Sequence, residues 1–388
     1  MILSERKSDI GAYYEQIAAL CASYEQELSF LHDKWKDLDI WRTAAREKVI
    51  DLLSYNPPEA PLNPVTISQT DCGAYIREEV EFNVSAQSRI SGTLLIPKGG
   101  EAPYPAVVAL HDHGGYYYHG REKLLDTPDE PGILRDFKEE LYEGVSWASE
   151  LVKEGYVVLI IDAFYFGARR VDYDSLSDEI KALYGDPLQG LEKDSEAYIK
   201  AFNEMSQKYE AILIKHILTA GATWAGIMAH DDRVSVDYLL TRPEVDPNRI
   251  GCAGLSLGGY RGALLAGTDP RISCAVVTGW MPSYKSLLHS HLREHTYMVY
   301  IPGLLRHMEF PDLLSTFTPN PLFVQQCRQD NLYPETGMQE AADRIKAVYQ
   351  KAGAPEEFKY AFYDCPHRFG REMQKDAFAW LEGHLKRT

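Results

Sequence analysis

The sequence lacks any long apolar run. No stretch of its 388 residues approaches the roughly 20 consecutive apolar residues that a membrane-spanning helix needs. The segment from Met1 to Asp9 also lacks the cationic start and apolar core of a secretory signal peptide. We therefore expect neither a membrane partner nor a signal peptide.

Cations are in the minority. Lys and Arg total 40 against 57 Asp and Glu, so the formal net charge is −17. Proteins that bind nucleic acid need clustered cations to neutralise phosphates. This charge balance therefore disfavours DNA or RNA as a partner, and it is compatible with an enzyme that acts on a small molecule.

Cysteines are few and scattered. The six are Cys21, Cys72, Cys252, Cys274, Cys327 and Cys365. No two of them have the close spacing of metal ligands, and three lie in apolar runs, where a thiol behaves as a small hydrophobe. This pattern favours a reducing compartment, so we expect a cytoplasmic protein.

The first part of the chain has helical periodicity. Apolar residues recur every three or four positions from Tyr13 to Leu28 and again around Trp41, which predicts helices over residues 1 to about 55. The proline-rich stretch 57–64 then ends the pattern. We predict an N-terminal helical appendage over 1–65 and a second domain over 66–388. An isolated helix of this length is marginal in water, so the appendage is expected to pack on that domain or to join subunits of a homo-oligomer.

The second domain alternates short apolar runs with helical patterns. A pair of runs at 75–84 and 90–96 resembles a hairpin, and the later runs lie at 106–110, 156–161, 249–253, 273–277, 322–324 and 358–362. Continuous apolar strands are typical of parallel sheets that are covered on both faces. The fold class is therefore α/β, with a mostly parallel sheet flanked by helices. Two insertions, at about 171–222 and 282–319, exceed the length of a crossover and are expected to act as a lid over a site.

The most specific motif is Gly254-Leu255-Ser256-Leu257-Gly258-Gly259. It directly follows the predicted strand at 249–253 and leads into a helical segment at 260–266. A serine at a sharp strand-to-helix turn needs small neighbours and projects above the sheet, with the helix N-terminus directed at the reacting centre. Ser256 is the predicted nucleophile, and the alternative is a glycine-rich turn with an incidental serine.

A serine nucleophile needs a base that a third group orients. In hydrolases with this strand-turn-helix motif the chain order is serine, acid, histidine. Asp330 follows the strand that begins at Leu322, and His367 follows the last strand, so both lie where α/β sheets place functional groups. Asp364, three residues before His367, is the alternative acid.

Three further segments have a recognisable pattern. They are Val245–Gly251, which runs into the Ser256 motif, Gly155–Val158 before Asp162, and Asp269–Ile272. Together they resemble the dienelactone-hydrolase-like and acetyl-xylan-esterase-like branch of the α/β-hydrolases. The resemblance covers residues from about 75 to 388. It implies the α/β-hydrolase fold and hydrolysis of a small-molecule ester or related acyl bond, without a metal or organic cofactor. Hydrolysis of a carbon–carbon bond next to a carbonyl, and a binding protein without turnover, stay open as alternatives.

The loop after the strand at 106–110 is similar to the oxyanion loop of this family. The backbone N–H of Leu257 is one expected donor to the oxyanion. The other is expected from His113 or, failing that, from Asp112, which stands where the family often has glycine. A metal site formed by this loop's His and Asp side chains, at positions 111, 112, 113 and 119, is the alternative.

Several further side chains are expected to border the cleft of such a fold. They are Tyr116, Tyr117, Tyr165, Trp280 and Arg169. The aromatic residues favour an aromatic or sugar-bearing substrate unless they simply pack, and Arg169 either binds a substrate carboxylate or forms a structural ion pair. The histidines of the second insertion are expected in the lid, and Asp231 and Asp232 in a solvated helix turn.

Overall fold

A computed structural model describes residues 7–386 of the chain. Residues 1–6, which carry most of the segment considered as a signal peptide, lie outside the described residues. The strands are β1 Val65–Asp71, β2 Tyr75–Asn83, β3 Arg89–Pro97, β4 Tyr104–Leu110, β5 Val157–Ile161, β6 Val245–Leu255, β7 Ile272–Thr278, β8 Leu322–Cys327 and β9 Phe358–Tyr363.

The helices fall between and before these strands. They are α1 Tyr13–Ala22, α2 Leu38–Leu53, α3 Gly132–Tyr142, α4 Trp147–Lys153, α5 Asp178–Leu183, α6 Glu196–Thr219, α7 Trp224–Leu240, α8 Leu257–Thr268, α9 Tyr284–Leu287, α10 Leu304–His307, α11 Phe310–Ser315, α12 Glu335–Lys351 and α13 Arg371–Leu385. Within residues 7–386 no single helix has the length and apolar composition to cross a bilayer, and the pair α6–α7, bent by 80°, meets both criteria only when the two are joined.

All of these strands form one sheet in the order β1-β2-β3-β5-β4-β6-β7-β8-β9. The pairs from β5 to β9 are parallel, and the pairs that involve β1, β2 or β3 are antiparallel. The predicted α/β class, the mostly parallel sheet and the hairpin of β2 with β3 are confirmed.

The central strands are apolar on both faces because helices cover both. In β4 the side chains of Val108 and Leu110 join one apolar cluster, and those of Val107 and Ala109 join the other. All four are fully buried. The loops that leave the carboxyl ends of the parallel strands therefore start from a rigid, two-sided core.

The N-terminal segment differs in part from the helices predicted over residues 1 to about 55. Helix α1 ends at Ala22, so the helix predicted through Leu28 is wrong beyond that residue. The N–H of Leu28 instead donates to the carbonyl of His307 at 2.9 Å, and the carbonyl of Leu28 accepts from the Trp41 indole at 2.8 Å. Apart from Cys21, the apolar residues of α1 are not buried by this arrangement, since Tyr13 is 74% exposed and Leu20 is 51% exposed.

Helix α2, in contrast, is part of the main body. Its buried residues Trp41, Ala45, Val49 and Leu53 belong to the same apolar cluster as one face of the sheet. Arg46 donates to the carbonyls of residues 267 and 316 at 3.1 and 2.9 Å. The segment 1–65 therefore contains one helix with a largely exposed apolar stripe and one that completes the core.

The sequence analysis missed strand β1. Every one of its residues is exposed, including Val65 and Ile67, because β1 lies at the edge of the sheet with no helix over it. A strand that is covered on neither face has no burial pattern to reveal it.

Candidate active site

The Ser256 turn is a strained link between β6 and α8. Ser256 has a backbone φ of 57° and ψ of −119°, a conformation that costs on the order of 1–3 kcal/mol for a residue with a side chain. Its N–H donates to the Thr278 carbonyl at 2.9 Å, and its carbonyl accepts from the Tyr260 N–H at 2.8 Å. A Cβ at Gly258 would lie 2.0 Å from the Leu110 carbonyl oxygen, so the turn needs glycine there. The local sequence thus holds the serine above the carboxyl end of the sheet.

His367 and Asp330 are in direct contact across the loops that follow β9 and β8. His367 Nδ1 lies 2.6 Å from Asp330 Oδ2, and the Asp330 side chain is fully buried. The other carboxylate oxygen accepts from the Leu332 N–H at 2.9 Å, which fixes the orientation of the group. A carboxylate accepts, so Nδ1 carries the proton and Nε2 presents its lone pair.

His367 Nε2 is buried and has no hydrogen-bond partner among residues 7–386. It shares a cleft with Ser256, and the ring rests on Gly279, where an added Cβ would lie 3.1 Å from His367 Cε1. Gly279 and Asp330 thus hold the imidazole in place. Nε2, the nitrogen that does not contact Asp330, is the one available for proton transfer.

Asp364, the alternative acid, takes a different partner. It is exposed and accepts from the Gln329 amide at 2.9 Å. Of the two carboxylates that the sequence offered, Asp330 is therefore the one that contacts His367.

The loop after β4 brings His113 to the cleft and leaves Asp112 beneath it. His113, Gly114 and Gly115 line the cleft, whereas Asp112 is fully buried beside Lys123 and bonded to the Tyr142 hydroxyl. The backbone N–H of Asp112, the second choice for an oxyanion donor, stays a prediction. Leu257, the first residue of α8, lines the cleft, and its N–H has no intrahelical acceptor at that position.

The ring nitrogens of the first two histidines in this loop form hydrogen bonds within the protein. His111 Nδ1 donates to the Asp112 carbonyl at 2.9 Å, and its Nε2 accepts from the Ala163 N–H at 3.0 Å. His113 Nδ1 accepts from the Gly115 N–H at 3.0 Å, so its Nε2 donates to Glu210 at 3.1 Å. Burial, with nearby cations, holds the pKa of His111 well below its usual value. Neither ring has a nitrogen left for a metal.

His119 completes the set that the metal alternative required. Burial lowers the pKa of His119 to about 4, so the ring is neutral. Within residues 7–386, no three His, Cys, Asp or Glu side chains are grouped so that they could hold a metal ion. The absence of a metal cofactor remains a prediction.

The cleft has a volume of about 730 Å³. Besides the groups already described, helix α6 contributes Gln207 and Glu210 to its walls. The second insertion contributes every residue from Leu292 to Tyr300 except Met298. Both insertions therefore wall the cleft, as expected for a lid.

An aromatic cluster forms the wall beside His367. The rings of Trp280, His295 and Tyr333 contact one another at centroid distances of 5.2–5.6 Å, and Tyr333 lies 6.4 Å from His367. Burial lowers the pKa of His295 to about 4, so this lid imidazole is neutral. The cluster packs against one side of the candidate base.

Only part of the predicted substrate-binding set reaches this cleft. Tyr117 and Trp280 line it. Tyr116 is buried against Phe137 with a ring-centroid distance of 4.9 Å, and the hydroxyl of Tyr165 donates to the Ser206 carbonyl at 2.9 Å. The prediction that Tyr116 and Tyr165 border the cleft is wrong, because both pack beneath it.

Arg169 likewise forms an ion pair instead of lining the cleft. Its Nη1 lies 2.6 Å from the carboxylate of Asp231, whose side chain is 2% exposed. The adjacent Asp232 pairs with Arg261 at 2.6 Å, and both side chains are buried. Arg169 therefore forms the structural ion pair that was the alternative to its predicted substrate contact. The solvated turn predicted at 231–232 is wrong, because α7 packs both carboxylates inward against arginines.

Glu210 is a contributor to the site that the sequence analysis missed. Its Oε1 accepts from the Tyr117 hydroxyl at 2.6 Å and from His113 at 3.1 Å, and its Oε2 accepts from the Thr296 hydroxyl at 2.7 Å and the Tyr297 N–H at 3.3 Å. Burial opposes ionisation, but these hydrogen bonds outweigh it and lower the pKa of Glu210. A carboxylate on an amphipathic helix carries no motif, so only the folded contacts reveal it.

The C-terminal half of the chain matches a family model. Residues 189–387, just over half of the chain, match the model of the Abhydrolase family. The chain belongs to the Abhydrolase family. It is an α/β-hydrolase in both sequence and architecture, as the resemblance in the sequence implied.

Similar proteins extend over most of the chain. The "Putative hydrolase YtaP" of Bacillus subtilis strain 168 is 25% identical over 345 residues, which are 89% of this chain and 100% of that protein. The structure of a putative acetyl xylan esterase from Bacteroides fragilis has a TM-score of 0.67 at 18% identity and covers 92% of this chain and 84% of its own. For a glucuronoyl esterase from Solibacter usitatus the TM-score is 0.59 at 13% identity, over 89% and 93% of the two chains. This α/β-hydrolase is thus similar in fold to proteins named as esterases.

Proposed function

We propose that this α/β-hydrolase is a serine hydrolase that cleaves a carboxylic ester of a small molecule. Ser256 is the nucleophile, His367 the general base and Asp330 the acid that orients it. The contact of 2.6 Å between His367 Nδ1 and Asp330 Oδ2 carries the proposal, because it leaves the buried Nε2 as the proton acceptor in the cleft that holds Ser256.

The reaction has two halves. Ser256 Oγ bonds to the ester carbonyl carbon as its proton passes to His367 Nε2, and the carbonyl π electrons move to the oxygen. The N–H groups of Leu257 and His113 stabilise that oxyanion. The oxyanion then collapses, the C–O bond to the alcohol breaks, and His367 returns the proton to the leaving oxygen. Water, activated by His367, releases the acid from the acyl-enzyme.

The site's own side chains supply every proton transfer in this scheme. Asp330 stabilises the imidazolium that forms in each half, and its burial strengthens that interaction. No step requires a metal or an organic cofactor. The cleft volume and its aromatic wall suit a substrate with a ring, and we include both aryl and sugar esters in the test.

The test is hydrolysis of a panel of acetyl, aryl and sugar esters by the wild-type chain and by Ser256→Ala. We expect wild-type turnover of at least one ester and a loss of several orders of magnitude in Ser256→Ala, because triad members act as a unit. Thermal unfolding should be nearly unchanged. A variant that retains more than about a tenth of the wild-type rate would contradict a triad mechanism through Ser256.

A further inference from the structure

Lys123 is a buried lysine that touches the backbone of the loop after β4. Its Nζ lies 2.9 Å from the Asp112 carbonyl oxygen, 3.0 Å from the His113 carbonyl oxygen and 3.5 Å from the Asp112 carboxylate. The side chain is fully buried. Burying an ammonium group is costly unless it is paired and hydrogen-bonded, so each of these contacts offsets part of a substantial desolvation penalty.

Each of the two carbonyls has a second donor. The Asp112 carbonyl also accepts from His111 Nδ1 at 2.9 Å, and the His113 carbonyl also accepts from the Tyr116 N–H at 3.0 Å. A carbonyl oxygen has two lone pairs, so both oxygens are saturated. The planes of the peptide units 112–113 and 113–114 are therefore fixed from the buried side of the loop.

Fixing these carbonyls also fixes the N–H groups that share their peptide units. Both peptide bonds are trans, and in a planar trans unit the C=O and N–H point in opposite directions. Because Lys123 holds the carbonyls of Asp112 and His113 inward, the N–H groups of His113 and Gly114 point away from Lys123.

The opposite side of the loop is the cleft. His113 and Gly114 line it together with Ser256, whereas Lys123 does not. The N–H groups of His113 and Gly114 donate to no other group in the described part of the chain. Two adjacent N–H groups thus point away from Lys123, on residues that line the cleft together with Ser256.

We propose that Lys123 is a positioning residue that holds the N–H groups of His113 and Gly114 in the oxyanion site. It does not touch the substrate; it acts through the two peptide units, and it adds Gly114 to the expected donors. The inference rests on the proposed serine hydrolase function. It concerns only the stability of the tetrahedral oxyanion, not the binding of the planar ester.

The test compares Lys123→Met with Lys138→Met. Lys138 is a suitable control because it is also a buried lysine, with a side chain that is 3% exposed. Its Nζ donates to the Leu125 carbonyl at 2.7 Å and not to the 112–114 peptides. For Lys123→Met we expect kcat to fall about 10- to 100-fold, less than or comparable to the loss of a whole oxyanion donor, with KM changed by less than about twofold. Lys138→Met should keep kcat within about twofold of wild type.

Binding supplies a readout that destabilisation alone would not move. An aryl boronic acid forms a tetrahedral anionic adduct with the serine, whereas an unactivated ketone analogue of the substrate stays planar and uncharged and depends much less on the oxyanion site. Lys123→Met should lose boronate affinity by the same factor as kcat and keep its ketone affinity. Equal losses for both ligands, or wild-type kcat and boronate affinity, would overturn the proposal.

A second variant covers the case in which Lys123→Met does not fold. Asp112→Asn weakens the ionic anchor of the lysine and leaves its carbonyl contacts in place, so it should show a smaller loss of the same kcat-selective kind. A wild-type kcat and boronate affinity in Asp112→Asn would then count against the inference. If the wild-type chain hydrolyses no ester and binds no boronate, the proposed function fails, and this inference fails with it.

Discussion

The loops at the carboxyl ends of the strands and the two insertions contribute to the cleft in different ways. The strand-end loops hold the candidate reacting groups: His113 after β4, Ser256 after β6, Asp330 after β8 and His367 after β9. The insertions supply walls, from α6 and from residues 292–300. The sheet is rigid and two-sided, so it fixes where chemistry occurs, and the insertions fix what shape of molecule can reach it.

The carboxylate of Glu210 is one of the points where the two regions meet. Glu210 of the first insertion binds His113 of the strand-end loop and Thr296 of the second insertion. The division of labour therefore predicts that changes among the strand-end groups alter the chemical step, and that changes at Glu210 alter binding and stability more than chemistry.

The largest effect that tests this division is expected for the acid. Asp330→Asn should leave the fold intact but lower kcat by about 10³–10⁴, because an amide opposite His367 Nδ1 favours the wrong tautomer. Asp364→Asn is the matched control, since this exposed carboxylate on the same loop as His367 bonds only to Gln329 among the contacts of the described chain. Both variants are measured with one ester at one pH.

The outcome separates two assignments. If Asp364→Asn is the inactive variant and Asp330→Asn is not, the acid is misassigned, although Ser256 and His367 keep their proposed roles. If neither variant loses more than about tenfold, the triad mechanism itself is contradicted.

A smaller effect is expected for Glu210→Gln. The carboxylate accepts two hydrogen bonds on each oxygen, and an amide can accept on one side only, so two donors lose their partner. We expect a loss of roughly 1–3 kcal/mol in the free energy of unfolding and a raised KM, with kcat reduced less than in Asp330→Asn. Urea unfolding and steady-state kinetics check both.

Glu204→Gln is the control on the same helix, because Glu204 is exposed. It should resemble wild type in stability and kinetics. A fall in kcat for Glu210→Gln as large as that for Asp330→Asn would break the comparison, because the first insertion would then share in the chemical step.

The sequence predicts the buried strands and the residues at their ends better than it predicts the exposed parts of the fold. Strands β4 to β8 are buried on both faces over most of their length, so their apolar runs were recognisable, and the order of Ser256, Asp330 and His367 at the strand ends followed from topology. Strand β1 buries neither face and left no pattern. The helix of the first segment stopped at Ala22 because tertiary hydrogen bonds, such as that from Leu28 to the His307 carbonyl, replaced helical ones.

Buried polar groups were the other feature that the sequence did not predict. Arg169, Asp231 and Asp232 look like surface residues in a sequence, but they form inward ion pairs between loop, α7 and α8. Lys123 gave no signal either, since its partners are backbone carbonyls more than nine residues away. Contacts of this kind depend on which elements meet in three dimensions, and local periodicity does not record that.

The most direct test of the central claim is labelling of the chain by a phosphonate probe, read by intact mass. The account predicts that one equivalent adds to the wild-type chain, that peptide mapping places it on Ser256, and that Ser256→Ala is unlabelled. It also predicts slower labelling of Asp330→Asn, because the base that activates the serine loses its orientation. If the wild-type chain is not labelled, or if Ser256→Ala is labelled as much as the wild-type chain, the assignment of Ser256 as an activated nucleophile is contradicted.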